Sequence, residues 1–456
     1  MLFSWEKTIF AKLLEKIVFS QLTGYLEAND ILSSHQFGFR SHHSVTHPLT
    51  LFSKKVFSAL NNNHHNISLF IDLKKAFDTV NFDILISKLE HYGVKGLALD
   101  WFRSYLVRHQ YVSVCGDVSS DVLRMLCGIP QGTVLGPLLF LIFINDLPLA
   151  SHLFSLLFAD DCTFQMEGAD LPLLIKNFNL ELLGAKEWFS SNLLTLNIKK
   201  TKYVIFSHSK CDKSLLPSIK IGNDPIDRVG SDLKEKAVKF LGVWINDTLS
   251  FAEHLPKLEQ KLGLATYALS TASNNSPEQI CCNIYYSLFE SNLRFGAILY
   301  GSAPQRDLDE LEIMQKTAVR YICKAGYRAH TDPLFTKLGI LKIGDILTLE
   351  RIQLIHKFKH NFLPPLFGND FLEGVDCINL GRREDINDYL QPTIQYPSLA
   401  RSPFVLLIRA WNDLPDYLKC IGEFKEFKLR FKDYILGTYT KECTEDHCFS
   451  CGFFPT

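Results

Sequence analysis

Two adjacent aspartates, Asp160 and Asp161, interrupt an otherwise apolar, aromatic-rich run, FSLLFADDCTFQ (residues 154–165). An unpaired charge is costly to bury, and two side by side also repel. The strand-like residues on both sides predict a β-hairpin with the acids at its tip. Any fold that includes this hairpin must offset the repulsion, and a divalent cation does so most directly. A further acid, Asp72 in SLFIDLKKAFD (68–78), follows another strand-like run. A strand delivering Asp72 beside the hairpin would converge three carboxylates, the donor set of a hard ion such as magnesium. Two such ions about 3.5–4 Å apart can clamp the attacking and leaving oxygens of a phosphoryl transfer. Either acidic segment alone reads more readily as a turn or cap, so periodicity by itself does not establish an enzyme.

The chain has 456 residues, 47% of them hydrophobic, enough for two to four domains. A charged fraction of 21% argues against a disordered polyelectrolyte, and a net charge of -1 means that any nucleic-acid surface must be local. The 12 cysteines are too dilute for a disulfide scaffold. The start lacks a signal-peptide pattern, and the longest apolar run, 134–144, contains Pro137 and is too short to cross a bilayer. These features predict a protein that is not secreted and has no membrane partner.

Periodicity predicts helices over 6–28, 45–61, 96–107 and 171–190, and another in FDILISKLEHYGV (82–94). A strand precedes Asp72, a hairpin covers 111–132, and an apolar helix follows Gly136-Pro137. LTLNIKKTKYVIFS (194–207) reads as strand–turn–strand, VKFLGVWI (238–245) as one strand, and the region from about 251 as mainly helical. Weak boundaries fall near 250 and at 365–400. The fold class is α+β.

QFGFR (36–40), IDLKKAFDTVN (71–81), GIPQGTVLGPLLFLIFINDL (128–147), FADD (158–161), LTLNIKKTK (194–202) and VKFLGVWI then occur in a telling order. Together they resemble the motifs of reverse transcriptases from non-LTR, LINE-like retrotransposons of the jockey and CR1 type. The resemblance implies a right-hand polymerase fold. Its parts would be partial fingers (1–66), a palm with interleaved fingers segments (67–250), a thumb-like helical region (251–325) and a C-terminal helical region with a cysteine-containing tail (326–456). It also implies an RNA-directed DNA polymerase that joins dNTPs to a primer 3′-hydroxyl on an RNA template by two-metal nucleotidyl transfer. The ions would be Mg2+, with Mn2+ as a substitute in vitro.

By the same resemblance Asp72 and Asp160 are primary metal ligands, Asp161 supports them, and the Leu73 carbonyl reaches the ions. Phe77 stands where an aromatic ring excludes a ribose 2′-hydroxyl; without the motif it reads as a core aromatic. Gln131 and Gly132 would lie against template or nucleotide, the glycine allowing close backbone approach. Phe158 and Ala159 would lie near the primer end. Arg40 would meet the incoming phosphates, and Lys202 would protonate departing pyrophosphate, with Lys199 and Lys200 as alternatives. Lys257, Lys261, Lys316 and Arg320 would contact duplex backbone, although each alone reads as a solvated cation. Trp188, Trp244 and Trp411 read as packing aromatics.

The stretches 330–346 and 402–415 also resemble the region that follows the polymerase in these elements, and binding of the element's own RNA is one role for it. Cys443, His447, Cys448 and Cys451 offer weak zinc ligands, but the adjacent His447 and Cys448 cannot easily face one ion, so zinc is not expected. Nothing resembles the endonuclease domain of complete elements, and the first fingers element looks absent, as in an N-terminally truncated copy. The alternatives are therefore a catalytically inert RNA-binding or structural remnant, and an RNA-templated RNA polymerase, which Phe77 disfavours. A ribonucleoprotein in nucleus or cytoplasm is the implied setting.

Overall fold

The structure, a computed structural model, describes residues 9–107, 110–111, 114–115, 118–119, 123–124, 127–129, 132–208, 216–368, 389 and 393–439. The fold is mixed α+β, with a central sheet and flanking helices. The chain forms two compact units, one from residues 1–48 and 63–229, the other from 49–62 and 230–456. Among the described residues, no helix is long and apolar enough to cross a membrane.

The first unit opens with α1 (Ile9–Ala28), and the chain then enters α2 (Thr46–Asn61), most of which belongs to the second unit. Next come β1 (His65–Ile71), α3 (Phe82–His91) and α4 (Leu97–Val107). The predicted hairpin region contributes four short strands, β2 (Gln110–Tyr111), β3 (Val114–Cys115), β4 (Val118–Ser119) and β5 (Leu123–Arg124), with β2 antiparallel to β5 and β3 to β4. The unit continues through α5 (Gly136–Ile144), β6 (Phe154–Phe158), β7 (Asp161–Gly168), α6 (Leu171–Ser191) and β8 (Lys202–Phe206). It ends with β9 (Lys220–Ile221), β10 (Asp224–Pro225) and β11 (Asp227–Val229).

The main sheet has the order β11-β8-β1-β7-β6. Its central strand, β1, is buried along nearly its whole length. Strand alternation sorts its side chains. Ile67, Leu69 and Ile71 join a core with Cys162 and Phe164 of β7, Tyr203 and Ile205 of β8, and apolar residues of α3, α5 and α6. The other face is more polar: Gln165 Nε2 donates to Ser68, which donates to Asn66, while Gln165 Oε1 is buried without a partner. Helix α5 is buried almost throughout, which explains its unbroken apolar sequence. At its N-terminus the Gly136 amide donates to Thr133 Oγ1, and just before it Glu15 of α1, a buried carboxylate, accepts from the Val134 amide at 2.6 Å.

In the second unit VKFLGVWI is not one strand but two, β12 (Ala237–Phe240) and β13 (Val243–Asn246). The joining pair, Leu241 and Gly242, has φ of 45° and 85°, the left-handed pair that a two-residue hairpin turn requires. An apolar octapeptide conceals this turn because only Gly242 marks it. The helices follow: α7 (Leu255–Asn275), α8 (Glu278–Ile284), α9 (Ser291–Arg294), α10 (Ala297–Tyr300), α11 (Gln305–Ile322), α12 (Asp332–Leu338), α13 (Ile343–Lys359), α14 (Pro403–Asn412), α15 (Asp416–Lys419) and α16 (Phe424–Thr438). The early helix α2 packs here through Phe52 on Phe240 and Phe57 on Phe404, and Asn61 bonds the backbone of Thr393 and Gln395.

Candidate active site

The site grows from the ends of β1, β6 and β7. Strands β6 and β7 pair down to Phe158 opposite Asp161, which leaves Ala159 and Asp160 as a two-residue loop. Ala159 has φ 56°, the left-handed first position of a tight hairpin turn. β1 pairs with β7 as far as Ile71 opposite Cys162. Continuing that register by one residue sets Asp72 opposite Asp161, on the polar face of the sheet. Directly opposed residues in an antiparallel pair lie about 4.5–5.5 Å apart at Cα. Asp72 and Asp160 are half-buried and Asp161 is exposed.

The loop that carries Asp160 is fastened by QFGFR. Gln36, 1% exposed, accepts through Oε1 from the amides of Gly38 (2.8 Å) and Ala159 (3.0 Å). Its Nε2 donates to the Ala159 carbonyl at 3.5 Å. The Phe37 amide donates to the Leu157 carbonyl and the Leu157 amide to the His35 carbonyl, so this segment runs parallel beside β6. A Cβ on Gly38 would sit 2.3 Å from the Ala159 nitrogen. The glycine is thus what allows two backbones to touch. Gln36 was not singled out from sequence; its signal was an amide beside the aromatics of QFGF.

Asp72 is held from the other side. Its Oδ2 accepts from Asn197 Nδ2 at 2.7 Å, its carbonyl accepts from the Asn197 amide at 2.8 Å, and its amide donates to Thr201 Oγ1 at 3.3 Å. Leu73 forms a bridge with Leu196. The segment LTLNIKKTK therefore acts mainly as a clamp on Asp72, with Asn197 and Thr201 as its working side chains.

The start of GIPQG docks on AFDTVN. The Gly128 amide donates to the Val80 carbonyl and the Ile129 amide to the Phe77 carbonyl, both at 2.7 Å. Gly128 has φ 91°, and a Cβ there would meet the Asp78 carbonyl oxygen at 2.6 Å. Gly132 is exposed and also left-handed, with φ 89°. Gln131 lies outside the described residues, as do Cys443, His447, Cys448 and Cys451. Phe77 is half-buried and stacks on Phe140 of α5, ring centroids 4.4 Å apart. Phe158 is half-buried at the end of β6.

The cations are largely engaged. Arg40 forms an ion pair with Glu27 at 2.8 Å and donates to the Ser33 carbonyl. Lys202 pairs with Asp227 of the neighbouring edge strand at 2.9 Å. In the second unit Lys257 sits 3.7 Å over the Trp244 ring, Lys316 pairs with Glu312, and Arg320 donates to the Ala329 carbonyl. Lys261 is exposed.

By donor chemistry the strand ends suit a hard divalent cation, because all three side chains are carboxylates. Beneath them the Cys162 thiol is pushed well above its usual range, first by burial and then by the charges of Asp161 and Asp160. It stays protonated and does not compete as a soft ligand. Among the described residues, no three His, Cys, Asp or Glu side chains are already gathered around one point. Ion uptake at this site would therefore draw the carboxylates together from neighbouring strand ends.

The first unit is thus a central sheet with flanking helices that carries acids at its strand ends, strapped by glycine-bearing segments. Residues 6–245 match the model of the reverse transcriptase (RNA-dependent DNA polymerase) family, and the chain belongs to that family, in its non-LTR retrotransposon branch of jockey and R1 type. The RNA-directed DNA polymerase from mobile element jockey of Drosophila melanogaster is 25% identical over 348 residues, 74% of this chain and 37% of that protein. The probable RNA-directed DNA polymerase from transposon BS of the same species is 26% identical over 349 residues, again 37% of its length. A putative 115 kDa protein of the type-1 retrotransposable element R1DM is 23% identical over 386 residues, 82% of this chain and 36% of that protein. The chain thus spans little more than a third of these relatives. Among solved structures, telomerase from Candida tropicalis with the TWJ fragment of telomeric RNA gives a TM-score of 0.39 at 11% identity, covering 73% of this chain and 57% of that one. That likeness is too distant to carry an argument.

Proposed function

We propose that the chain is an RNA-directed DNA polymerase that extends a DNA primer with dNTPs on an RNA template. The observation that supports this most directly is the β1–β7 register, which runs to Ile71 opposite Cys162, one residue short of Asp72 and Asp161 and beside the loop that carries Asp160. Asp72 and Asp160 would hold the divalent ions, with Asp161 and the Leu73 carbonyl in support. Bound Mg2+ would supply Lewis-acid activation of the primer hydroxyl and charge neutralisation at the triphosphate.

The protein's own part is positioning. Gln36 and Gly38 fix the Asp160 loop, Asn197 fixes the Asp72 carboxylate, and the Gly128 contact holds the GIPQG segment against residues 77–80, just beyond Asp72. A positioned carboxylate set matters because phosphoryl transfer is catalysed mainly by placement and charge. Lys202 lies opposite Phe70 in the β1–β8 register, on the same face as Asp72. It is the proposed proton source for departing pyrophosphate once released from Asp227. Arg40 would have to leave Glu27 to reach a phosphate; otherwise its role is to brace the QFGFR strap. In this reading Phe77 limits the sugar to deoxyribose. The regions 1–66, 67–250, 251–325 and 326–456 correspond to fingers, palm, thumb and a C-terminal helical part.

Primer extension on an RNA template with Mg2+ tests the proposal. The full chain should incorporate dNTPs, and Asp160→Ala should abolish incorporation without lowering the melting temperature. A folded full chain that binds primer–template but yields no product, or an active Asp160→Ala variant, would overturn it.

A further inference from the structure

In the second unit two guanidinium groups converge without an acid. Arg351 of α13 donates from Nη2 to the Gly301 carbonyl at 2.7 Å. Arg401, just before α14, donates from Nη2 to the Ala303 carbonyl at 2.6 Å. The two acceptors flank Ser302 on one turn, so the same loop receives both arginines. Among the described residues neither arginine reaches a carboxylate.

The neighbouring arginine shows how unusual this is. Arg294 takes two carboxylates, Glu290 at 2.8 Å and Glu350 at 2.5 Å. Glu350, adjacent to Arg351 in sequence, is therefore already used. Burial opposes the charge of Arg294, but its two acids more than offset this and hold its pKa above the usual value. The opposite holds for Arg351. Burial first, and then the like charge of Arg401, push it down to about 10. Its Nε is also buried without a hydrogen-bond partner. A guanidinium carries five N–H donors, and the carbonyl bond from Nη2 leaves the buried Nε without compensation.

Such an arrangement persists most readily when an anion completes it. A carboxylate saturates one guanidinium fork, whereas a tetrahedral phosphate has oxygens enough to face two forks at once. Arg401 is exposed and provides the entrance; Arg351 lies deeper. We propose that Arg351 and Arg401 form a phosphate-binding site on the 301–303 turn, whose ligand is a phosphate carried by a nucleic-acid strand or free in solution. The site uses none of the carboxylates at the strand ends and needs no divalent ion.

The test is calorimetric titration of the full chain with sodium phosphate in EDTA, at ionic strength held constant with sodium chloride. EDTA silences any phosphate bound through a cation at the carboxylates. Saturable binding is expected. Arg401→Gln should weaken it on the order of tenfold or more, the scale of one charge-assisted hydrogen bond. Arg401→Lys, which keeps charge but loses the fork, should fall between the two, and a change at the exposed Lys425 of α16, Lys425→Gln, should bind as wild type. Because Arg351→Gln removes a buried brace, the exposed Arg401 carries the test, with a melting curve to show that the variant is folded. Absence of saturable phosphate binding, or wild-type affinity in folded Arg401→Gln, would overturn the site. A second arm titrates a single-stranded RNA in EDTA across salt concentrations. A salt slope reduced by about one in Arg401→Gln supports the site with a strand phosphate as ligand. An unchanged slope together with lost phosphate binding supports the site with free phosphate as ligand.

Discussion

The contact between Gly38 and the Ala159 loop is the point where one methyl group should disturb the carboxylates most. In Gly38→Ala the new Cβ would lie 2.3 Å from the Ala159 nitrogen and 3.0 Å from the Phe158 carbonyl carbon. Both are backbone atoms and cannot rotate away. To reach van der Waals separation the strap must retreat by roughly 1 Å. That retreat stretches the bonds from Ala159 N to Gln36 Oε1, now 3.0 Å, and from Phe37 N to the Leu157 carbonyl, now 2.8 Å, beyond useful length. Overpacking costs about 1–3 kcal/mol, and each lost buried bond about 1 kcal/mol. The sum, about 3–5 kcal/mol, is a large share of a typical domain's stability. For a unit of this size it corresponds to a fall in Tm of roughly 6–20 °C. Amide hydrogen exchange is the sharper assay, because protection should fall at Phe37, Leu157 and Ala159 while amides in the centre of β1 change only with global stability. Wild-type protection at Leu157 and Ala159 in Gly38→Ala would refute the strap.

Other consequences can be measured as directly. Ala159→Gly should stabilise the chain by about 1 kcal/mol in a urea titration, because alanine pays for its left-handed φ and glycine does not. Phe77→Ala should cost about 2–4 kcal/mol through loss of the Phe140 stack; if Phe77 also gates the sugar, ribonucleotide incorporation rises in Phe77→Leu, which keeps most of the packing. His254, 7% exposed, has its pKa lowered to about 4 by burial and then by Lys261 and Lys257. Its folded-state pKa lies below the unfolded value of about 6.5, so the neutral form is favoured in the fold. Its contribution is fully present above pH 6.5 and is lost as pH falls from about 6.5 toward 4. Denaturation midpoints across that window should fall with acidification, and His254→Gln should flatten the decline.

What could be read in the sequence was whatever a single segment dictates. The apolar run before Asp72 and the aromatic flanks of Asp160 and Asp161 fix strands whatever their neighbours, and α1, α2, α4, α5 and α6 carry their own periodicity and breakers. The hidden parts depend on partners distant in sequence. Gln36 and Ala159 are 123 residues apart, and Asn197 and Asp72 are 125 apart. No local pattern reports such bonds. Arg40 looked available for phosphate because Glu27, its partner, lies on a helix whose direction the sequence does not give. The turn inside VKFLGVWI was concealed because Leu241 adopts a conformation for which its residue type offers no warning. Arg351 and Arg401 are 50 residues apart, and nothing local in the sequence marks that both donate to the 301–303 turn.

The proposed function requires Asp72 and the Asp160–Asp161 loop to form one cation site from separate strands. Titration of the full chain with Mn2+, followed by electron paramagnetic resonance of the free ion, tests it without relying on turnover. Saturable binding should be lost alike in Asp72→Asn and in Asp160→Asn, with both variants melting as the wild type does. Undiminished Mn2+ binding in folded Asp72→Asn would contradict the claim, since the hairpin acids alone would then account for the ion.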